Sequence, residues 1–589
     1  MTCLKFVLVL LMLSALADGS QAGGRPGGFP LCTASGAQLE PFGVPRPDLS
    51  SGAALMVVWQ DRRHDPGDGG DLGLGIVSRR TSFETPGPVD GALVVERPGM
   101  QFEQQATAVE PLGCDPRVEC ESAILTYIDL ATYPQPERVR AARLDSGKPA
   151  WDVPVSTSPK LVQLPSVVSD GGTGAIVAWS EIKDLDSYRS RARVQHLSGD
   201  GSRLWGDEGR FAVTDTVDQE YVQAASDGSG GVYLVWLDYR FRDPSAVFAM
   251  HLGADGEPAP GWPAEGRSVA SNEGYPKYPA ILADGLGGAY IVWLQYEEPI
   301  DHYVLQARIV RLVANGALAE GWPAEGIRVA ASPNSRVEVT DVALDGAGGV
   351  LLATAEQGAG PRQIRLHHLR SDGTPSPGWP AAGLLACTVS GPLARARVVG
   401  QGGEAVAVWS DDRNGERESD IFGARFLADG SRAPGWPDTG LVLCAAPGIQ
   451  RNPVVGPDGA GGVVVAWEDW RSGADIYAQV VNARGEIDPA DMLPSPSPIR
   501  LAMASDNPVR RGMMSFTLVL DFDGSVTADV VDVAGRRLAR IADGQFSAGH
   551  HTLLWDGLDA NGARVPPGVR FLRVRGPAGD RTLTFVMLQ

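Results

Sequence analysis

Tryptophan recurs along this chain at nearly regular intervals, and this periodicity restricts the fold more than any other feature. Twelve of the 14 Trp belong to two series. The first anchor positions are 52 to 68 residues apart and hold Trp59, Tyr127, Trp179, Trp236, Trp293, Thr354, Trp409 and Trp467. A second anchor follows six of them by 24 to 29 residues, often as Gly-Trp-Pro, at Trp151, Trp205, Trp262, Trp322, Trp379 and Trp436. Eight such units indicate a tandem repeat.

Each unit has the pattern of four short strands. In the fifth unit we expect strands at residues 279–283, 288–294, 303–311 and 327–331. The sequence Asp-Gly-x-Gly-Gly separates the first two, and its glycines supply the positive φ angles that a tight hairpin needs. The second strand is continuously apolar, as expected of a strand buried on both faces. The 73 Gly and 44 Pro likewise favour many turns over long helices.

Four antiparallel strands in each repeat of this length are typical of β-propeller blades. The last unit, around Trp467, lacks its fourth strand, and residues 28–32 align with the corresponding segment of the unit before it. We therefore predict an all-β, eight-bladed β-propeller over residues 23–492, closed by the N-terminal strand. A seven-bladed propeller is the alternative, if the divergent unit around Tyr127 is an elaboration.

The first 22 residues have the features of a signal peptide. Lys5 provides a positive charge, residues 6–13 are an unbroken apolar run, and small residues suited to cleavage follow. The run is too short to span a bilayer, and no later segment approaches about 20 apolar residues. We expect a secreted or cell-surface protein without a transmembrane segment.

The charge balance is acidic, with a formal net charge of −20 at pH 7. An acidic surface argues against nucleic acid as a partner, because phosphates require a basic face. It also argues against binding to anionic membranes. Solubility is the simplest explanation of the charge.

A Trp-x-Asp-x-Arg pattern follows the first anchor in four units. An acid–base or carboxylate-binding site is one interpretation. A catalytic site is built once and interrupts a repeat, however, whereas a structural device recurs. We therefore predict structural ion pairs at strand ends, formed by Asp61 and Arg63, Asp238 and Arg240, Asp411 and Arg413, and Asp469 and Arg471.

Other polar residues give little indication of a metal or cofactor. Calcium requires several convergent oxygens, and its best candidate is the loop with Asp65, Asp68 and Asp71. Solvated loop acids are the preferred interpretation, so no cofactor is predicted. No Cys/His cluster has the spacing of a zinc site.

The cysteines fall into two groups. Cys114 and Cys120 flank a short loop, which in an exported chain predicts a local disulfide. Cys32, Cys387 and Cys444 lie at equivalent repeat positions, which favours small core residues.

Residues 493–506 begin with alternating Pro and Ser and are predicted to be an extended linker. Residues 507–589 then show about 80 residues of short strand pattern, which suits an Ig-like β-sandwich. The motifs that follow one another there are Asn507-Pro508, residues 531–538 (Val-Asp-Val-Ala-Gly-Arg-Arg-Leu), residues 555–557 (Trp-Asp-Gly) and residues 567–569 (Pro-Gly-Val).

These motifs resemble the C-terminal Ig-like domains of secreted bacterial proteins that are similar to the Ig-like domain of the flagellar hook-capping protein. The resemblance covers about a seventh of the chain. It implies a sorting or surface-attachment domain, as in type IX secretion, and hence secretion or cell-surface machinery as a partner. Arg570 departs from the family pattern, because an aromatic residue is common there, and the chain end lacks the usual basic residue.

No set of residues in the repeats identifies a reaction, so no catalytic residue is assigned. Our main hypothesis is an exported, non-enzymatic propeller that serves as a scaffold or binds a protein or glycan ligand. The alternative is a secreted hydrolase that acts on glycans in a pocket on one propeller face. Two carboxylates in one pocket with aromatic walls would favour the enzyme.

Overall fold

The computed structural model is all-β. It describes the strands between residues 25 and 130, mainly by their backbone, and then most of residues 138–493 and 499–588, with gaps at connecting loops. These residues form strands and no α-helix, so none of them belongs to a helix long and apolar enough to cross a membrane. The chain divides into two compact units, one of them Arg25–Met492 and the other containing Leu493–Gln589.

The first unit contains eight four-stranded antiparallel sheets, consistent with propeller blades and numbered here in chain order. Sheet 1 consists of Gln38–Pro45, Leu55–Asp61, Gly73–Ser78 and Ala92–Val95, and sheet 2 of Met100–Val109, Ser122–Leu130, Arg138–Asp145 and Lys148–Pro154. Sheet 3 consists of Val162–Ser169, Ala175–Asp184, Arg189–Leu197 and Arg210–Phe211, and sheet 4 of Gln219–Ser226, Val232–Asp238, Ala246–Leu252 and Arg267–Ala270.

Sheets 5 to 8 continue the series, and the two-residue strands Arg25–Pro26 and Met492–Leu493 lie outside it. Sheet 5 consists of Lys277–Ala283, Ala289–Glu297, Val304–Leu312 and Ile327–Val329, and sheet 6 of Arg336–Leu344, Val350–Gln357, Arg362–Leu369 and Leu384–Val389. Sheet 7 consists of Arg397–Gln401, Glu404–Asp411, Asp420–Phe426 and Leu441–Cys444, and sheet 8 of Gln450–Pro457, Val463–Asp469, Asp475–Val481 and Phe29–Cys32. Within each sheet the strands pair in the order first, second, third, fourth, except that Phe29–Cys32 takes the fourth place in sheet 8.

The first anchor of each unit lies in the centre of its sheet. In sheet 4 every residue of the second strand is buried, and Trp236 is 0% exposed. The indole packs on Gly266, which has a φ of +79° and where a Cβ would lie 2.8 Å from the ring. A side chain at that position would collide with the anchor, so the repeat retains glycine there.

The Asp-Gly-x-Gly-Gly turn closes the hairpin of the first two strands with a capping carboxylate. Asp227 Oδ1 accepts hydrogen bonds from the backbone N–H of Ser229 and Gly231 at 2.7 and 2.8 Å. Its Oδ2 lies 2.9 Å from His251 Nε2 on the third strand. The turn therefore satisfies its own backbone donors and is tied to the third strand of the sheet.

The second anchor links each sheet to the next. Trp262 Nε1 donates to the carbonyl of Ala314, in a turn of sheet 5, at 2.8 Å. The same bond recurs at 2.8–3.4 Å from Trp151 to Gly199, Trp205 to Ala254, Trp322 to Ser371, Trp379 to Ala428 and Trp436 to Ala483. The sequence showed the periodicity of these tryptophans but not this role between sheets.

The first strands of the eight sheets lie side by side. Each contacts the first strands of the sheets before and after it, and Gln38–Pro45 of sheet 1 contacts Gln450–Pro457 of sheet 8. The N-terminal strand of sheet 8 is antiparallel to Asp475–Val481, with Phe29 opposite Ala478. All first strands therefore share one side of the array.

Sheet 6 departs from the repeat at its first anchor. Thr354 replaces the tryptophan, and the His367 ring from the third strand packs against Gly383 at the position equivalent to Gly266. The Thr354 hydroxyl donates to Glu356 Oε1 at 3.0 Å, and His367 Nε2 lies 3.2 Å from the same oxygen. These three side chains are 0–3% exposed, so they fill the space of an indole as a buried polar cluster.

The second unit contains two sheets. Three strands pair in the order Ile499–Met503, Met514–Leu520, Gly549–Trp555, and five pair in the order Val509–Arg510, Gly579–Leu588, Gly568–Gly576, Gly524–Val531, Arg537–Phe546. Phe516, Trp555 and Phe585 form the centre of the core, with ring centroids 5.3–5.9 Å apart.

Part of the predicted linker at 493–506 is not a linker. Ile499–Met503 pairs antiparallel with Met514–Leu520, with Leu501 opposite Leu518. The reason is visible in the alternation of Ile499, Leu501 and Met503, a period-two pattern that follows directly after the Pro/Ser run.

Candidate functional site

The Trp-x-Asp-x-Arg residues are brought together within single sheets. In sheet 4, Trp236 Nε1 donates to Asp238 Oδ2 at 2.9 Å, and Arg240 Nε and Nη2 donate to the two carboxylate oxygens at 2.8 and 2.9 Å. Arg240 also lies 4.0 Å above the Phe248 ring. The anchor, the carboxylate and the guanidinium thus form one bonded group.

Sheets 7 and 8 repeat this group. Arg413 Nε donates to Asp411 at 2.9 Å, and Arg471 Nε donates to Asp469 at 2.9 Å. The carboxylates of Asp238, Asp411 and Asp469 are fully buried. In sheet 1, Asp61 ends the second strand, and Arg63 lies outside the described residues. Each of the three described pairs belongs to its own sheet, so the structure does not gather these three pairs into one site.

The remaining candidates from the sequence are placed as follows. Asp65, Asp68 and Asp71, and Cys114 and Cys120, lie outside the described residues. Cys387 and Cys444 are buried, and their thiols donate to Asp411 and Asp469 at 3.6 and 4.0 Å, whereas only the backbone of Cys32 is described. Within the described part of the chain, no three His, Cys, Asp or Glu are grouped so that they could hold a metal ion.

A cavity of about 370 Å³ opens where four consecutive first strands meet. Sheet 5 supplies most of its wall, and sheets 4, 6 and 7 supply the rest. The lining residues are Gln223, Tyr278, Ala280, Ile281, Leu282, Tyr290, Val292, Trp293, Leu294, Val339, Thr340, Asp341, Val342 and Arg397. The wall is therefore mostly apolar and aromatic, with a few convergent polar groups, as in small-molecule sites.

The charged groups of the cavity are Asp341 and Arg397. Arg397 Nη1 lies 3.8 Å from Asp341 Oδ1, and the Val398 N–H donates to Asp341 Oδ2 at 2.9 Å. The two side chains are 26% and 38% exposed. Burial raises the pKa of Asp341, and Arg397 only partly opposes this. The pair thus presents one guanidinium and one carboxyl to the cavity.

Tyr278, which lines this cavity, contacts a second tyrosine, Tyr221. Tyr278 is 60% exposed, and its ring meets that of Tyr221 edge to face at a centroid distance of 5.7 Å. Both lie at bulges of first strands; Tyr221 and Val222 together face the single residue Trp236. An exposed aromatic pair of this kind is a platform on which a flat apolar ligand face can stack.

The tyrosines hold an unfavourable backbone conformation. Tyr221 and Tyr278 have φ angles of +54° and +48°, in the left-handed region. The equivalent bulge of sheet 8 holds Asn452 at +52°, and asparagine enters this region at lower cost than tyrosine. A non-glycine residue kept there costs on the order of 1–3 kcal/mol, and such strain clusters at binding sites.

The sequence contained a signal for this site that the periodicity concealed. The first anchors drew attention to the second strands, whereas the tyrosines and Asp341 lie on first strands, where the units differ from one another. A comparison of the units at Tyr221, Tyr278 and Asn452 would have singled out the bulge position.

Comparisons with known proteins give distant similarity of fold only. No protein-family model and no curated protein matches the sequence. A structure of an ulvan lyase, a polysaccharide lyase, aligns with 64% of this chain and 92% of its own at 10% identity and a TM-score of 0.40. The β-propeller domain of the Trilobed protease from Pyrococcus furiosus aligns with 63% of this chain and 91% of its own, at 9% identity and a TM-score of 0.34. An α-L-arabinanase from Penicillium chrysogenum aligns with 65% of this chain and 99% of its own, at 12% identity and a TM-score of 0.30.

Proposed function

We propose that the first unit is an eight-bladed propeller, closed into a ring by the N-terminal strand. The support is the unbroken series of contacts between first strands, from sheet 1 through sheet 8 and back to sheet 1. Closure of this kind pairs the edge of the last sheet and removes an exposed edge strand.

We further propose that this propeller binds a glycan at the cavity between sheets 4 and 7. The observation that carries the proposal is the strained, exposed Tyr278 at the mouth of a cavity that holds Asp341 and Arg397. Sugar rings present apolar C–H faces that stack on tyrosine, and their hydroxyls bind carboxylates and guanidinium groups.

Hydrolysis is the second candidate function, and Asp341 is the residue that favours it. Its raised pKa suits a general acid that must hold a proton before it transfers it. Glycoside hydrolysis usually requires a second carboxylate facing the same sugar, however. Among the described lining residues Asp341 is the one carboxylate, which favours binding over hydrolysis.

The test uses the full chain and a panel of neutral and acidic oligosaccharides. Binding is measured by calorimetry, and product formation by reducing-end assay. We expect Tyr278→Ala to weaken binding at least tenfold, because it removes the stacking surface, whereas Tyr275→Ala leaves it unchanged. Tyr275 is the matched control, since it is 46% exposed and also has a positive φ but does not line the cavity.

Each outcome of this panel decides between the candidates. Product formation that Asp341→Asn abolishes would establish the hydrolase. Equal affinity of the Tyr278 and Tyr275 variants, or no binding of any oligosaccharide, would refute the glycan proposal.

We propose that residues 1–22 direct export and that residues 507–589 act as a sorting or surface-attachment domain. The support is the sequence pattern of the leader and the order of the C-terminal motifs. Deletion of residues 507–589 should leave the protein in the producing cell or change its final location, as followed by fractionation. Unchanged delivery would remove the sorting role.

A further inference from the structure

Trp470 is one of the two tryptophans outside both anchor series, and the residue is 41% exposed. It directly follows Asp469, at the end of the second strand of sheet 8. The repeat does not fix this residue, because the equivalent position holds Tyr239 in sheet 4 and Asp412 in sheet 7. Among these three sheets the indole is therefore particular to sheet 8.

The indole is held in one orientation by a buried carboxylate. Trp470 Nε1 donates to Glu468 Oε1 at 2.6 Å, and Glu468 is 0% exposed. The Trp470 backbone N–H also donates to the carbonyl of Ile449 at 2.9 Å. An aromatic ring fixed at both backbone and side chain needs little ordering when a ligand binds.

A guanidinium lies beside the ring. Arg451 Nε donates to Glu468 Oε1 at 2.7 Å, and Arg451 Cζ lies 5.2 Å from the Trp470 ring centroid. The Arg451 side chain is 47% exposed, whereas the Glu468 carboxylate that orients it is buried. Asn452, which holds the positive φ of the bulge, donates to the other oxygen of Glu468 at 3.2 Å. One buried carboxylate thus positions an exposed ring and an exposed cation together.

We propose that Trp470 and Arg451 form a binding site for an acidic sugar. The apolar face of the sugar ring stacks on the indole, and the carboxylate or sulfate of the sugar binds the guanidinium. Glu468 is a positioning residue, since its buried carboxylate has no exposed surface for the ligand. This site adds a ligand class to the proposed glycan binding and does not depend on the cavity at Tyr278.

The experiment is a fluorescence and calorimetric titration of the full chain with three probes: an oligogalacturonate, a sulfated oligosaccharide and a neutral oligosaccharide of similar length. We expect the acidic probes to quench tryptophan emission, and the neutral probe to bind this site at least tenfold more weakly. Trp470→Phe should remove the quenching. Arg451→Gln should weaken the acidic probes about tenfold, the equivalent of one charge-assisted hydrogen bond.

Two further variants keep the result interpretable. Arg451→Lys retains the charge near Glu468, so it should fold like the wild type and recover part of the affinity. Tyr278→Ala should leave the Trp470 signal unchanged, which separates failure of this site from failure of the cavity. The comparison of galacturonate with sulfate identifies the acidic group.

The proposal is overturned if the acidic and neutral probes bind with equal affinity, if no probe binds, or if Arg451→Gln binds the acidic probes as tightly as the wild type. It is also overturned if Trp470→Phe retains the quenching, because the signal would then come from another tryptophan.

Discussion

The carboxylate of Asp238 is fully buried and accepts hydrogen bonds from Trp236 and Arg240. Asp238→Ala would leave an indole N–H and a partly buried guanidinium without their acceptor. We expect a loss of about 3 kcal/mol, as in other broken buried ion pairs. The shift in the urea midpoint of the propeller, followed by tryptophan fluorescence, measures it.

The matched control is Asp207→Ala, since the Asp207 side chain is 81% exposed and pairs with Arg203 at 3.2 Å on the surface. Exposed ion pairs contribute little to stability, so this control should change the free energy of unfolding by less than about 1 kcal/mol. Similar losses in both variants would show that the buried group is not a stabilising unit.

Because the backbone at Tyr278 is strained, we expect one substitution there to raise stability and weaken binding. Tyr278→Asn should stabilise the propeller by about 1 kcal/mol, because asparagine adopts the left-handed region more readily and little packing is lost from an exposed ring. The same change removes the stacking surface and should weaken glycan binding at the cavity at least tenfold. A melting temperature lower than that of the wild type would contradict the strain argument.

Asp227 predicts a specific loss of stability in acid. Burial alone would raise its pKa, but hydrogen bonds from His251, Ser229 and Gly231 outweigh this and lower the pKa to about 2. The unfolded value is near 3.9. Its contribution is therefore complete above about pH 4 and is lost as the pH falls through about 2.

Asp227→Asn retains the acceptor for the backbone N–H groups but cannot titrate. The free energy of unfolding, measured by urea titration, should fall more steeply for the wild type than for the variant between about pH 4 and 2. The difference should reach roughly 2 kcal/mol in total. Parallel pH profiles for the two proteins would show that Asp227 does not titrate in this window.

At the level of the strands and turns, the role of the second anchors is the feature that the sequence predicts least. The pattern of the first anchors predicts the second strands, because a continuously apolar run that ends in tryptophan is a local signal. In sheet 5 the predicted strand 288–294 corresponds to Ala289–Glu297. The bond from Trp262 to Ala314 joins residues 52 apart in two sheets, so no local pattern contains it.

The second anchors also predict how neighbouring sheets are coupled. Trp262→Phe keeps the aromatic ring but loses the hydrogen bond to the Ala314 carbonyl, at a cost of about 1 kcal/mol. Amide hydrogen exchange should become faster in the turn around residues 313–317 of sheet 5. Trp470→Phe is the control, because its indole bonds within its own sheet and should leave that turn unchanged. Exchange in the turn that does not respond to Trp262→Phe would contradict the coupling.

For the molecule as a whole, composition and repeat length predicted the all-β class and the four-strand units. The second unit was predicted as a region of short strands without their bounds, and in Arg537–Phe546 three charged residues interrupt the alternation. The cavity could not be predicted from the sequence, because Tyr278, Asp341 and Arg397 come from three sheets and converge only when first strands pack side by side. Sequence reasoning therefore identified the repeated framework, whereas the site arises where the repeats differ.

The register of the N-terminal strand allows a direct test of ring closure. Phe29 lies opposite Ala478, so cysteines at these two positions should form a disulfide under mild oxidation, in a protein that also carries Cys32→Ser. Phe29→Cys with Gln479→Cys is the control, because adjacent strand residues point to opposite faces. A disulfide between residues 29 and 478 closes nearly the whole propeller covalently, so the cross-linked protein should migrate faster on a non-reducing gel and unfold at higher urea concentration. An open array would give neither effect, and equal cross-linking at 478 and 479 would show that the strand does not hold this register.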